Sequence, residues 1–307
     1  MTSHLRRAQS WLCEPAPLAR VAVFRILVYG FLLVDVLYTH AEPIFRAHAD
    51  PAFYQPLLVG RLLPLPVPSY WLVVGIKWSL VVAAVLVLAG KAPRLLGWTI
   101  FVLYFEWLIV AFSYGKVDHD RFAYLVALAV LPTVAHAGTR SRAASEAAGW
   151  ALRMVQLAVV ATYFYAAFAK LRFGGPEWVN SATIARAVVR RGTALAEPLL
   201  AVPWTLHVTQ WVIMVIELAA PLLFVLSEKW RRRVVVFLLG FHAMTWAMIM
   251  VIFLPHVVCL LSFLPLERLA ALRRQVAAAL ARRRTRGAVT TSPPAPTAAP
   301  SGARSAG

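Results

Sequence analysis

Apolar runs recur along the whole of this chain, each close to the ~20 residues that a helix needs to cross a bilayer. No other feature constrains the fold as much. Within lipid a backbone N–H or C=O finds no water, so a crossing segment has to satisfy its own hydrogen bonds, and a helix does this within one run. Hydrophobic residues make up 61% of the sequence, against ~45–50% in a soluble domain. The chain therefore reads as all-α, a polytopic helical membrane bundle.

The runs cover Val21 to Tyr38, Tyr70 to Leu88, Leu95 to Phe112, a short piece at Phe122 to Ala135, Trp150 to Leu171, and Leu206 to Leu226. The last block, Val234 to Leu266, would reach roughly 50 Å as one helix. That exceeds a hydrocarbon core of ~30 Å yet falls short of two crossings. Pro255 stands where the block could break. A seventh span ending near Phe253 is expected, then a short eighth crossing or a re-entrant half-helix. The total is about seven to eight transmembrane segments.

Residues 1–20, with Arg6, Arg7 and Arg20, read as a cytoplasmic interfacial segment. No run of small residues follows a short apolar core near the start, so the first span is expected to serve as an uncleaved anchor. Residues 21–266 form one helical membrane domain. Residues 267–284 (ERLAALRRQVAAALARRR) have the pattern of a basic amphipathic helix on a membrane surface. Residues 285–307, rich in Pro, Ala, Ser and Thr, are expected to be disordered.

A net charge of +18 could suggest nucleic acid. The charges fall in loops and in the tail, however, and no basic stripe with interleaved aromatics lies on a soluble domain, so nucleic acid is not an expected partner. Lys91 and Arg94, Arg140 and Arg142, and Lys229 with Arg231 to Arg233 mark alternate loops as cytoplasmic. This puts the N-terminus in the cytoplasm. The basic tail prefers the same side, which favours an even number of crossings. The expected location is a multi-pass protein of a bacterial cell membrane. Cys13 and Cys259 have no metal-ligand spacing, and no metal is expected.

Ionisable groups within spans are costly and are functional candidates by default. With this topology Asp35, Glu106, His119, Lys170, His207, Gln210 and His256 fall toward the outer side, and Glu217 and His242 near mid-depth. Gln156, Tyr163 and Lys170 recur every seven residues and share one helix face. Ala166, Ala167 and Ala169 thin the helix beside the lysine, as in close packing or a ligand cleft. Each group also has a plain structural reading. Lys170 could snorkel to the interface, His119 could be a loop histidine, and His242 a satisfied core residue. Glu217 and Glu106 could pair with Arg25 or Lys77.

At these residues the chain resembles the horizontally transferred transmembrane (HTTM) domain family, whose best-known members are the vitamin K-dependent gamma-carboxylases. Gly115-Lys-Val-Asp-His-Asp-Arg-Phe-Ala-Tyr-Leu125 is similar to the family's Asn-Asn-His-x-Tyr-Leu segment, with Val117-Asp118 in place of the Asn pair. Tyr163-Phe-Tyr-Ala-Ala-Phe-Ala-Lys-Leu171 is similar to its Tyr-x-x-Ala-Gly-x-x-Lys segment. Phe241-His242 and Phe253-Leu-Pro255 resemble its late span. The likeness covers residues 15–268 or so. It implies Lys170 as a catalytic base toward a reduced, vitamin K-type quinone, with His119 beside the quinone. His242, Glu217 and Tyr163 would line the substrate pocket. The extramembrane domain that recognises the protein substrate in the carboxylases has no expected counterpart here.

Two function classes stay open. One is a quinol-dependent, carboxylase- or epoxidase-like enzyme. The other is a non-enzymatic membrane protein: a lipid or quinone carrier, a transporter or a partner subunit. The expected partners are the lipid bilayer, a lipid quinone and, for the enzyme, a separate substrate-recognition protein.

Overall fold

The computed structural model describes residues 3–63, 65–136 and 138–269. Helix dominates it. α1 (Ser3–Leu12) is followed by α2 (Leu18–Val34), which runs on through a π-helical turn, Asp35–Thr39. The long loop after it holds two short helices, α3 (Glu42–Arg46) and α4 (Leu58–Leu62). Then come α5 (Tyr70–Leu88), α6 (Pro93–Phe112), α7 (Phe122–Val130) and α8 (Glu146–Gly174). After α9 (Thr183–Arg191) follow α10 (Pro203–Ala219), α11 (Glu228–Ile249) and α12 (Leu254–Leu260). Two-residue strands, β1 (Ala16–Pro17) and β2 (Ala144–Ser145), pair antiparallel with Ala16 opposite Ser145. They join the entry of α2 to the entry of α8.

Among the described residues, six helices are long and apolar enough to cross a membrane: α2 with its π turn, α5, α6, α8, α10 with a following 3-10 turn to Phe224, and α11. Their ends carry ordinary stop and start chemistry. Ser69 caps α5 by accepting from Leu72 N–H, and Ser145 caps α8 by accepting from Ala148 N–H. Pro93 and Pro203 open α6 and α10, where a missing N–H costs nothing. Gly175, at φ 73°, turns the chain out of α8.

α7 and α12 are too short to cross a ~30 Å core alone, yet both carry the chain back through the bundle. The head of α7 lies deep, where Arg121 meets Asp35 at the far end of α2. Its last turn lies at the start of α2, where Arg25 donates to the carbonyls of Leu131, Val134 and Ala135. α12 begins beside Tyr163 and His242. Shortly after it Glu267 takes a two-pronged bond from Arg20, at 2.7 and 2.8 Å, at the start of α2. With its following 3-10 turn α12 covers Leu254–Phe263, a shorter apolar helix than the six above. It brings the described chain back to the side where α2 starts.

One boundary differs from expectation. The break after α11 falls at Met250, which adopts a left-handed φ of 55°, and not at Pro255. Pro255 instead sits in the first turn of α12, the helical position that tolerates proline best. The amphipathic helix expected at 267–284 and the tail at 285–307 lie, from residue 270 onward, outside the described residues.

The core is packed with large side chains that exclude solvent, among them Trp107, Tyr29, Tyr104, Tyr124 and Phe24. Backbones also come close: a Cβ on Gly149 of α8 would overlap the carbonyl oxygen of Glu14. Two polar knots hold the bundle. In the first, Arg25 donates to three carbonyls, of Leu131, Val134 and Ala135, in the segment that follows α7. In the second, the Asp35 carboxylate accepts from Arg121 at 2.6 Å, from Tyr104 Oη at 2.7 Å and from Thr39 Oγ1 at 2.7 Å. The alternative pairing of Glu217 with Arg25 is not made, because Arg25 is committed to carbonyls and Glu217 to Lys170.

Removing one half of the second knot strands a buried charge. Arg121→Met is expected to cost on the order of 3–5 kcal/mol. Adding Asp35→Leu should recover much of the loss, because no charge is then left unpaired. Thermal unfolding in detergent measures both, and a double variant as unstable as the single one would refute the account.

Candidate functional site

Helix geometry brings a lysine and a glutamate together at the far end of the bundle. Side chains lean toward the N-terminus of their own helix. α8 runs away from the side where α2 starts, so Lys170 leans back into the bundle. α10 runs the opposite way, so Glu217 leans out to meet it. Lys170 Nζ lies 2.5 Å from Glu217 Oε1 and 2.7 Å from Oε2. The Trp178 ring flanks the ammonium, its centre 5.4 Å from Nζ. Lys170 keeps 24% of its side chain exposed and Glu217 only 10%, so the pair sits at a mouth and points inward.

Behind the pair lies a cavity of about 330 Å³. Its lining includes all five side chains singled out in the sequence: Lys170, His119, His242, Glu217 and Tyr163. Between the polar groups its walls are apolar, with Ile213, Ile249, Val251 and Phe253. The Tyr163 hydroxyl and His242 Nε2 share a hydrogen bond of 2.7 Å. The common face of α8 read from the seven-residue spacing is the face turned to α10, α11 and α12. Gln156 there donates to the Ser262 carbonyl, Tyr163 meets His242, and Lys170 meets Glu217.

Other polar candidates go to structural work. The Gln210 amide donates to the carbonyls of Trp178 and Val179 and accepts from Ile184 N–H, clamping the turn that carries Trp178. Asp35 belongs to the knot with Arg121. His207 is exposed on α10. Glu106 is outside the cavity lining, with Oε1 buried and without a partner among the described residues.

Sequence reasoning left His256 and Asp120 out of the site, and both line the cavity. His256 is 2% exposed, with its ring edge-on to Tyr163 at 4.6 Å and 5.5 Å from that of His242. Its signal in the sequence was weak, because it sits in an apolar stretch after a proline. Asp120 is the neighbour of His119 in the turn that Arg121 pins, and the motif directed attention to the histidine alone. Phe253 stands between the rings of His119, at 6.3 Å, and His242, at 5.4 Å.

Electrostatics of the 119–121 turn follow from burial. His119 titrates below the ordinary histidine range, first because it is buried and next because Lys170 is cationic. The ring is therefore neutral near pH 7 and keeps one nitrogen as an acceptor. Burial pushes the Asp120 carboxyl up from 3.8 to about 6, against the pull of Arg121. Between those two values the folded protein holds a proton that the unfolded chain has lost, so the contribution of Asp120 to stability falls as pH rises through that window. Above it the carboxylate costs the fold roughly 3 kcal/mol at most. Asp120→Asn is expected to raise the unfolding temperature at pH 8 and to have little effect below pH 4. An equal shift at both pH values would count against it.

The sequence matches the HTTM domain family over residues 13–267, nearly the whole of the described bundle. Comparison with curated proteins and with solved structures returned no match. The matched region holds all six long helices and every residue of the cavity. The chain is thus an integral membrane protein that belongs to the HTTM domain family, the family of the gamma-carboxylase membrane domains.

Proposed function

We propose that the cavity is a site for a reduced lipid quinone and that the Lys170–Glu217 pair accepts a proton from it. One observation carries this reading: a base pair, a neutral histidine and a tyrosine–histidine pair share one apolar cavity that opens among membrane helices. A bound quinol supplies weakly acidic ring hydroxyls and, on oxidation, two electrons.

The residues suit such a group. A cavity of about 330 Å³ falls at the small end of the ~300–1,000 Å³ typical of ligand sites, which suits a ring system without its tail. Beside it lies an apolar groove of about 270 Å³, lined by Leu239, Ala243, Trp246, Ile252, Leu254 and Val257. The groove shares His242 and Phe253 with the cavity, giving a prenyl tail a lipid-side course. Three buried ring nitrogens, His242 Nδ1 and both of His256, have no partner among the described residues, so hydrogen-bonding capacity is left for a ligand.

In this reading Lys170 rests as an ammonium on Glu217. Passage of one proton from Nζ to a Glu217 oxygen leaves a free amine and a carboxylic acid. The amine then takes the proton of a ring hydroxyl positioned by His119. The apolar walls keep water from the charge that develops. Glu217 therefore has a direct part, as the store for the first proton, which differs from a lysine made basic by an apolar wall alone. A carboxylation or epoxidation step would follow from the chemistry of the ligand.

The resting ion pair also supports a second reading, a quinone carrier, since a lysine held as ammonium binds without reacting. Lys170→Ala separates the two. Quinol-dependent epoxide formation is expected to fall by at least ~100-fold, the usual worth of a general base. Glu217→Gln is expected to slow it as well. Quinone extracted from the purified protein, with no turnover in the wild type, would favour the carrier. Absence of both would reject the site.

A further inference from the structure

The corner of the cavity formed by α11 and α12 holds an anomaly that the proton-accepting pair does not use. His256 is almost wholly buried, and neither ring nitrogen has a partner among the described residues. A neutral imidazole carries one donor and one acceptor, and burying both unbonded forfeits what water would have given them. The neighbouring His242 spends Nε2 on the Tyr163 hydroxyl and leaves Nδ1 unpartnered. Three orphan nitrogens thus meet in one corner, on rings 5.5 Å apart. Lys170 and Glu217 line the same cavity from α8 and α10 and bond each other rather than the histidines.

We infer that His256, together with Nδ1 of His242, binds the second ring oxygen of the quinol. The inference rests on the quinol reading given above. It assigns His256 a positioning role: the histidine corner fixes one oxygen so that the other faces the base pair. A hydroxyl donates and accepts at once, which matches an imidazole pair offering both functions.

The competing occupant is water, which can bridge two histidines in a polar recess. Ligand and water are told apart by removing one oxygen from the ligand. The full chain is placed in lipid nanodiscs under argon. Equilibrium binding is measured for a prenylated 1,4-naphthoquinol and for its two mono-hydroxy analogues. The wild type is expected to bind the quinol about 10-fold more tightly than the better analogue, the worth of a satisfied buried hydrogen bond. His256→Phe should weaken the quinol alone and bring that ratio to about one. His256→Asn, which restores a donor and an acceptor, should recover part of it and serves as the variant of record if the phenylalanine protein does not fold. A wild-type ratio near one, unchanged by either variant, would overturn the inference and leave the corner to water, with the quinol site intact. Failure of the wild type to bind any of the three would overturn the quinol reading and this inference together.

Discussion

Arg121 reaches Asp35 over 2.6 Å inside the bundle, and the rest of the site depends on that contact. The turn before α7 is buried within the bundle. The guanidinium holds it there by joining α2, α6 and the head of α7 through Asp35 and Tyr104. Charge pairing of this kind is poor evidence for net stability, because desolvation takes back much of the Coulomb gain. Its value here is positional. His119 and Asp120 directly precede Arg121 in the chain and line the cavity only because that turn is sunk.

α8 is the second organising element. It contacts elements from both ends of the chain, and its polar face meets a different partner at each level. Gln156 bonds the turn after α12, Tyr163 meets the histidines of α11 and α12, and Lys170 meets Glu217 of α10. The lowest contact holds the turn after α12 in register. The upper two line the cavity, and the uppermost remains partly open to solvent. A single helix face thus grades from structural to chemical along its length.

The sequence made the helical class and most span boundaries legible because lipid permits so few alternatives. Tyr70 to Leu88 emerged with both ends as read. The break after α11 did not, because a left-handed Met250 has no sequence signature, whereas Pro255 has a misleading one. In the site, seven-residue spacing joined Tyr163 to Lys170, topology set Glu217 near mid-depth, and the family resemblance added His119 and His242. Pairing was harder to read. Which cation Glu217 would take depends on helix direction and lean, which set Lys170 against it and leave Arg25 to backbone carbonyls. His256 was counted among the outer polar groups but given no role, since its burial without a partner shows only once its neighbours are in place.

The Arg25 knot has a consequence for how the protein is made. Its acceptors lie 106 to 110 residues further along the chain. Asp35, in the same first span, has its cation 86 residues later. At roughly 5–20 residues per second of synthesis, the first span waits on the order of 5–20 s before either charge meets its partner. A lone charge costs ~2.5–3.5 kcal/mol at the centre of an inserting helix, and less at the off-centre positions of Arg25 and Asp35. The segment that starts the fold thus enters lipid with two charges unpaired. Until α7 arrives it depends on snorkelling or on the insertion machinery to shelter its two charges. The order of synthesis, and not only the finished packing, selects what can stand at positions 25 and 35.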